Sequence, residues 1–224
     1  MSPLPTLAAI AEALAPHGLA VTGAFHPAAG EGPEGVATLS MVGADGEAMW
    51  GAFSASPEYL DGAANPLDRW STRVIGAAAA ALGATAYFPF GGPPWQPFMA
   101  WAGRAEGAVP SPIGMMVTPS RGLHASWRGA LGFAEALDLA ALVPPGPSPC
   151  TPCAAPCRSA CPVRAFGEGG YDTAACARHV SSAAGRACRE GGCLARRACP
   201  ASATIAPSQA AFHLSAFVAA RAGG

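Results

Sequence analysis

Eight cysteines in the last third of this 224-residue chain are the residues whose type and spacing could do chemistry. They form two runs that each end in Cys-Pro. The first run is Cys150-x2-Cys153-x3-Cys157-x3-Cys161-Pro162, the second is Cys188-x4-Cys193-x5-Cys199-Pro200, and Cys176 lies between them. This pattern is typical of cubane iron-sulfur sites, in which one loop supplies three thiolates and the cysteine before proline ligates the other cluster.

The number and order of the cysteines predict two crossed ligand sets. Eight thiolates fill two four-thiolate sites with none left over. If each Cys-Pro cysteine serves the cluster of the opposite run, the ligands divide in one way. The first set is Cys150, Cys153, Cys157 and Cys199, and the second set is Cys161, Cys176, Cys188 and Cys193. We predict that these residues bind two [4Fe-4S] clusters, and we assign no catalytic residue.

The charge distribution fits a region that binds negative clusters. Residues 1–149 carry five arginines and eleven acidic residues, whereas residues 150–224 carry eight arginines and three acidic residues. A cubane with four thiolates is negatively charged, so the nearby arginines offset its charge and raise its reduction potential.

Three other uses of the cysteines stay open. Structural zinc sites usually contain paired C-x2-C spacings, and only Cys150 and Cys153 have that spacing. Disulfides are typical of secreted proteins, but the N-terminus lacks a basic region and has Glu12 in its apolar stretch. A single cluster with leftover thiols is the third use, because the second run is looser than usual.

The sequence also limits location and partners. The longest uncharged run, from Val74 to Trp101, is interrupted by prolines and does not form one membrane-spanning helix. We therefore predict a cytoplasmic protein without a membrane partner. Only Phe166 and Tyr171 are aromatic within the cysteine region, so nucleic acid is not expected as a partner, and a redox partner protein is.

The eight-cysteine order, with the segment YDTAACARH around Cys176, resembles the ferredoxin-like module of epoxyqueuosine reductase, a cobalamin-dependent iron-sulfur enzyme. The resemblance extends upstream to SPIGMMVTPSRGLHASWRGALGF and implies the same crossed ligand sets. The chain departs from that family by one extra residue between Cys153 and Cys157. It has no acid in FPFGGPPWQPFMAWAGR, where the family has its active-site acid, and no tRNA-recognition repeats after Pro200.

These observations predict a divergent relative that carries electrons rather than a complete reductase. The predicted function is that of an iron-sulfur electron-transfer protein, or a redox subunit, that relays single electrons through two [4Fe-4S] clusters. One alternative is a corrinoid- or flavin-linked reductase related to epoxyqueuosine reductase. Another is a zinc-stabilised interaction module.

The elements that must position these residues belong to a packed protein. The chain is 51% hydrophobic and 12% charged, which favours a core despite 28 glycines and 23 prolines. Asn65-Pro66 is predicted to cap and open the clearest helix. The predicted helices are 7–14, 44–53, 66–82, 98–104 and 129–142, and the predicted strands are 19–25, 35–42, 84–90 and 114–118.

We predict four segments along the chain. Residues 1–143 form a layered α/β or α+β domain that docks a partner, an acceptor or a cofactor. Residues 144–149 are a proline-rich linker. Residues 150–206 form a small, loop-rich, mostly helical ferredoxin-like module, and residues 207–224 form a helix that packs back on the first domain.

Several residues outside the cysteines have both a functional and a structural interpretation. Asp68, Arg69 and Arg73 could bind an anion, or could belong to a solvated helix start. His124 and His179 could contact a cofactor or donate a proton, although a structural role is the more common outcome. Other candidates for cofactor contact are Trp95, Met115 and Met116.

Overall fold

A computed structural model describes residues 4–142, 144 and 146–222 of the chain. The chain divides into two compact units: Met1–Ala108 with Ser126–Gly146, and Val109–Ala125 with Pro147–Gly224. The sequence analysis assigned Val109–Ala125 to the N-terminal domain, whereas in the structure this segment belongs to the unit that contains the cysteines. Residues 143 and 145 of the predicted domain boundary and linker lie outside the described residues.

Helices and strands alternate along the first unit, and those described in the second unit are short except for the C-terminal helix. In the described residues the strands are β1 (Leu19–Phe25), β2 (Thr38–Ala44), β3 (Thr85–Tyr87), β4 (Val109–Pro110), β5 (Met116–Val117), β6 (Trp127–Phe133), β7 (Phe166–Gly167) and β8 (Gly170–Tyr171). The helices there are α1 (Leu7–Leu14), α2 (Gly46–Ser54), α3 (Pro57–Leu60), α4 (Pro66–Leu82), α5 (Phe98–Glu106), α6 (Thr173–Ser181), α7 (Arg186–Gly191), α8 (Leu194–Arg197) and α9 (Pro207–Ala222).

The first unit is built on one antiparallel sheet with the strand order β1-β2-β6-β3. Every residue of β2 is buried. Helices α1, α2 and α4 supply fully buried side chains to the core, among them Ile10, Phe53 and Ile75. The predicted mixed α/β character is confirmed, and the antiparallel pairing makes the first unit an α+β arrangement.

The predicted helix at residues 129–142 is wrong, because this segment begins in the strand β6. This strand pairs with β2 on one side and with β3 on the other. A Cβ atom at Gly129 would lie 2.9 Å from Ile75 Cδ1, and one at Gly132 would lie 2.7 Å from Tyr87 Cε2. The glycines therefore admit close neighbours in a central strand. Alanine and leucine favoured a helix, but non-local pairing decided the structure.

Helix α4 begins where the sequence predicted, without the predicted side-chain cap. Asn65 has a left-handed backbone with φ +52°, and its side chain makes no capping hydrogen bond. Pro66 occupies the first turn. Asp68 places a negative charge there, and this charge interacts favourably with the helix dipole. Gly83, with φ +69°, ends the helix in the left-handed conformation that glycine adopts without steric cost.

The segment Val109–Ala125 joins the second unit through close backbone packing. Gly122 has φ +56°, and a Cβ atom there would lie 2.4 Å from the carbonyl carbon of Ala201. The Leu123 N–H group donates a hydrogen bond to Ser202 Oγ at 3.0 Å. These contacts fix the segment beside the loop that follows Cys199.

The C-terminal helix packs within the second unit. α9 contacts α6 and α7, and the predicted packing of this helix on the first domain stays a prediction. The strand pairs β4-β5 and β7-β8 form two short antiparallel ribbons in the same unit. Among the described residues, no helix has the length and apolar character needed to cross a membrane.

Candidate metal centres

The eight cysteines lie on turns and short helices of the second unit. Proline and glycine interrupt residues 147–200 often enough to keep the helices and strands there short. Cys150 and Cys153 lie in turns, Cys157 in the 3-10 helix Pro156–Arg158, Cys161 just beyond it, Cys176 in α6, Cys188 in α7, Cys193 immediately before α8 and Cys199 shortly after it.

Two residues near the first run have a backbone conformation that is rare outside glycine. Ala155, between Cys153 and Cys157, has φ +55°, and Arg164, after Cys161, has φ +49°. Such conformations cost about 1–3 kcal/mol each and are concentrated at functional sites. Next to these turns, backbone N–H groups face sulfur. The Ala155 N–H donates to Cys153 Sγ, and the Ala165 N–H donates to Cys161 Sγ, each at 3.3 Å.

The structure brings together the four cysteines of the first predicted set. Burial raises the pKa of the Cys150 thiol, and electrostatic interactions with Cys199 and Cys153 act in the same direction. Burial also raises the pKa of the Cys157 thiol, which interacts with Cys199, Cys150 and Cys153. Cys199 therefore joins the first run in space, although 42 residues separate it from Cys157 in sequence.

The four cysteines of the second predicted set also lie together. Burial raises the pKa of Cys176, whose thiol interacts electrostatically with Cys193, Cys161 and Cys188. Burial raises the pKa of Cys188 as well, and Cys193 and Cys161 add to that effect. Cys161, from the first run, thus groups with cysteines that follow it by 15 residues or more. Thiols with raised pKa values stay protonated at neutral pH, so a metal would have to displace their protons.

A cavity of about 580 Å³ is lined by all four cysteines of the first set. Its remaining walls are almost wholly apolar, which lowers the local dielectric. The other lining residues are Ser111, Pro112, Val117, Leu123, Pro149, Pro152, Ala154, Ala155, Pro156, Pro200 and Ala201. Four of them come from Val109–Ala125, a contribution that the sequence analysis missed. The cavity combines four thiols with an apolar wall, the donor chemistry that a thiolate-bound cluster requires.

Within the part of the chain that the structure describes, no three His, Cys, Asp or Glu side chains meet closely enough to hold one metal ion. A structural zinc site brings four ligands to a single ion. In a cubane cluster each thiolate binds a different iron, so the four sulfurs surround a larger body. For a cubane, the geometry that matters is therefore the space that the four sulfurs surround, and not their distances to one central ion.

Arg196 places positive charge beside the second set. Its Nε atom donates to the Leu123 carbonyl oxygen at 2.7 Å. Burial lowers the pKa of this guanidinium, and the neighbouring Cys193 and Tyr171 oppose that effect. No carboxylate of a described residue forms an ion pair with Arg196. A partly buried cation in this position is stabilised by an anionic neighbour.

Tyr171 is a site residue whose role the sequence analysis missed. Tyr171 is a neighbour of the Cys176 thiol, and the interaction between them opposes the rise in the Cys176 pKa that burial causes. Its ring stacks on Phe166 with a centroid distance of 4.7 Å. In the sequence Tyr171 stands five residues before Cys176 of the second set, and this short separation could have indicated a residue near the site.

The arginines at the start of α4 are engaged within the first unit. Arg69 forms an ion pair with Asp61 at 2.7 Å, and Arg73 forms one with Glu58 at 2.5 Å. Asp68 accepts a hydrogen bond from Arg128 Nη2 at 2.8 Å. The structural interpretation of this segment therefore fits better than an anion-binding one.

The surroundings of three other sequence candidates, His124, Met115 and Trp95, differ from one another. His124 Nδ1 lies 2.5 Å from the Ala203 carbonyl oxygen, and burial lowers the pKa of this imidazole. Met115 packs against the apolar cluster that includes Cys157 and Cys161. Trp95 is 65% exposed in the first unit.

Comparison with known proteins identifies no family for this chain. The chain matches no protein-family model, and no relative is found among the curated proteins. The resemblance to the cluster module of epoxyqueuosine reductase thus stays a prediction. The functional argument depends on how the thiols are arranged.

Proposed function

We propose that this protein is an iron-sulfur electron carrier that holds two [4Fe-4S] clusters in its second unit. The observation that carries the proposal is the division of eight thiols into two groups of four, one of which lines a single apolar cavity. When bound, such clusters supply one-electron transfer at potentials set by their surroundings. A loop-rich, mostly helical, ferredoxin-like module and a redox partner protein belong to this proposal.

The protein's own residues have distinct tasks in this function. The thiols of Cys150, Cys153, Cys157 and Cys199 hold one cluster, and those of Cys161, Cys176, Cys188 and Cys193 hold the other. The N–H groups of Ala155 and Ala165 donate to sulfur and stabilise negative charge there. The apolar walls of the cavity exclude water from the first cluster.

Positive charge in the second unit supports electron uptake. Residues 150–224 carry five more arginines than acidic residues. Arg196 interacts with Cys193, and Arg197 interacts with Cys188, so both cations lie near the second set. A cation beside a sulfur ligand favours the reduced, more negative state and raises the reduction potential.

The first test is the metal content of the protein purified without oxygen and reconstituted with iron and sulfide. We expect about eight iron atoms and eight acid-labile sulfides per chain, because each cubane contains four of each. The visible spectrum should show a broad thiolate-to-iron absorption that dithionite bleaches. Electron paramagnetic resonance of the reduced protein should reveal two one-electron centres.

Zinc analysis of the same sample provides the control. One or two zinc ions per chain, with no sulfide and no visible absorption after reconstitution, would contradict the proposal and favour a zinc-stabilised interaction module. About four iron atoms and four sulfides would mean that only one set binds a cluster.

A further inference from the structure

A second cavity of the second unit has the polar groups of an anion site. Its volume is about 290 Å³, and none of the eight cysteines lines it. Among the described residues, no acidic side chain lines it either. The polar side chains of its wall are His124, Arg197, Ser202 and Thr204, all of which belong to one compact unit. This cavity is therefore distinct from the candidate metal centres.

Arg197 supplies positive charge at the wall of this cavity. Its guanidinium lies against the turn at Gly191, where a Cβ atom would come within 2.8 Å of Arg197 Nη1. No carboxylate of the described residues forms an ion pair with Arg197. A guanidinium presents a planar fork of N–H donors that matches the oxygens of an oxyanion. The charge and the donors of Arg197 therefore favour an anionic ligand.

Two hydroxyl groups add neutral donors. Ser202 Oγ accepts a hydrogen bond from the Leu123 N–H group at 3.0 Å, and a hydroxyl that accepts can still donate its own proton. Thr204 lies exposed in the loop before α9. The helix α9 begins at Pro207, which also lines the cavity, and the positive end of its dipole adds to the attraction for an anion.

His124 contributes an acceptor to this cavity. Its Nδ1 atom lies 2.5 Å from the Ala203 carbonyl oxygen, and a carbonyl only accepts, so Nδ1 carries the proton. Burial lowers the pKa of this imidazole, and Arg196 and Arg197 act in the same direction, so the ring is neutral at pH 7. Nε2 then has a lone pair, and it is buried without a hydrogen-bond partner among the described residues. A buried acceptor without a partner is unfavourable, so a ligand that donates a proton to it is favoured.

We propose that this cavity binds an oxyanion that keeps a proton at neutral pH, and that the ligand is hydrogen phosphate. Its charged oxygens accept hydrogen bonds from Arg197, Ser202 and Thr204, while its P–OH group donates to His124 Nε2. Sulfate has a similar shape and charge, but it has no proton to donate at neutral pH. The donors attract both ions, and the acceptor favours phosphate. This site goes beyond the proposed function and does not depend on it.

The test is isothermal titration calorimetry of the full-length protein at about pH 8 and constant ionic strength. The probes are inorganic phosphate, sulfate and methyl phosphate. We expect one phosphate per chain, bound at least about tenfold more tightly than sulfate, because one hydrogen bond to a charged ligand is worth about that factor. Methyl phosphate has lost its last P–OH proton at this pH, since the second pKa of a phosphate ester is about 6, and it should bind as weakly as sulfate.

Three variants assign the roles of the side chains. His124→Asn keeps a side-chain N–H group for the Ala203 carbonyl oxygen but removes Nε2, so it should lower the affinity for phosphate about tenfold and leave that for sulfate unchanged. Arg197→Gln should weaken both ions about tenfold or more, because it removes the cation. Arg178→Gln is the matched control, since Arg178 is exposed on α6 and lies outside this cavity. It removes the same charge and should leave both affinities unchanged.

The possible results decide between the site and its selectivity. Equal affinities for phosphate, sulfate and methyl phosphate in the wild type, or a His124→Asn variant that still prefers phosphate, would overturn the role of His124. No saturable binding of phosphate at millimolar concentrations, or an equal loss in Arg178→Gln and Arg197→Gln, would overturn the site. Thr204→Val changes an exposed loop residue and should fold like the wild type, so a partial loss of both affinities in this variant supports the site even if His124→Asn does not fold. The iron and sulfide analysis tests the electron-carrier function separately.

Discussion

Arg73 of the first unit and Arg196 of the second unit have different kinds of partner. In the first unit Glu58 accepts two hydrogen bonds from Arg73, at 2.5 and 2.9 Å. In the second unit Arg196 donates a hydrogen bond to the Leu123 carbonyl oxygen and lies beside a cysteine thiol. The first pattern is that of an ordinary structural ion pair, whereas no carboxylate of the described residues forms an ion pair with Arg196.

The Glu58–Arg73 pair predicts a pH dependence of stability in the first unit. The hydrogen bonds from Arg73 lower the pKa of Glu58 from its usual 4.5 to about 2. A carboxylate with a lowered pKa stabilises the folded state fully above pH 4.5, and this contribution is lost as the pH falls towards 2. Because Arg73 is 51% exposed, solvent screening limits the contribution to about 1 kcal/mol.

Glu58→Gln should therefore lower the free energy of unfolding by about 1 kcal/mol at pH 7, and the difference from wild type should disappear near pH 2. Urea unfolding followed by tryptophan fluorescence measures this effect in the first unit, because all five tryptophans lie there. Glu12→Gln, at an exposed position of α1, is the control and should change little. A Glu58→Gln deficit that persisted at pH 2 would rule out the ion pair as its source.

At the scale of elements, the central strand β6 determines how closely the sheet and α4 pack. β6 pairs with β2 along one edge and with β3 along the other, so both of its edges have a neighbouring strand. The Cβ position of Gly129 lies 3.0 Å from the Tyr87 carbonyl oxygen and 2.9 Å from Ile75 Cδ1. The Tyr87 carbonyl oxygen belongs to the backbone of β3 and cannot move aside without disturbing that strand. A side chain at Gly129 therefore destabilises the packing.

We expect Gly129→Ala to reduce the free energy of unfolding of the first unit by about 1–3 kcal/mol. Gly76→Ala is the matched control, because nothing lies within 4 Å of its Cβ position in α4. Alanine there should stabilise the helix by up to about 1 kcal/mol. The urea midpoint measures both changes, and equal midpoints for the two variants would show that β6 tolerates the extra atom.

At the scale of the whole molecule, the order of cysteines along the chain differs from their grouping in space. Cys161 ends the first run but groups with Cys188, and Cys199 ends the second run but groups with Cys150. The crossed arrangement ties together segments that are 27 to 49 residues apart. Cluster binding and folding of the second unit should therefore be coupled.

Crossed ligation predicts which substitutions act on the same cluster. Cys150→Ala and Cys199→Ala should remove the same centre and leave about four iron atoms per chain, because each cubane contains four. Cys161→Ala and Cys188→Ala should remove the other centre. Iron analysis and the residual electron paramagnetic resonance spectrum identify the centre that remains. A Cys199→Ala spectrum that matched Cys188→Ala would contradict the crossed sets.

The sequence by itself determined the features that depend on local order. Helical spacing located α1 and α4, and a proline and a glycine marked the ends of α4. The order of cysteines and the Cys-Pro pairs were enough to predict two sets of four, since the ligand rule uses only position along the chain. Mixed α/β composition followed from the alternation of periodic segments.

Only the tertiary structure decided the features that depend on contacts between distant residues. β6 is a strand because β2 and β3 pair with it, whereas its composition favoured a helix. Val109–Ala125 belongs with the cysteines because Gly122 admits the backbone of Ala201. The ring of Tyr171 stacks on Phe166 of β7 and on Phe217 of α9, which are far apart in sequence. Hydrogen bonding across strands, close backbone approach and ring stacking have no fixed sequence separation, so no local pattern predicts them.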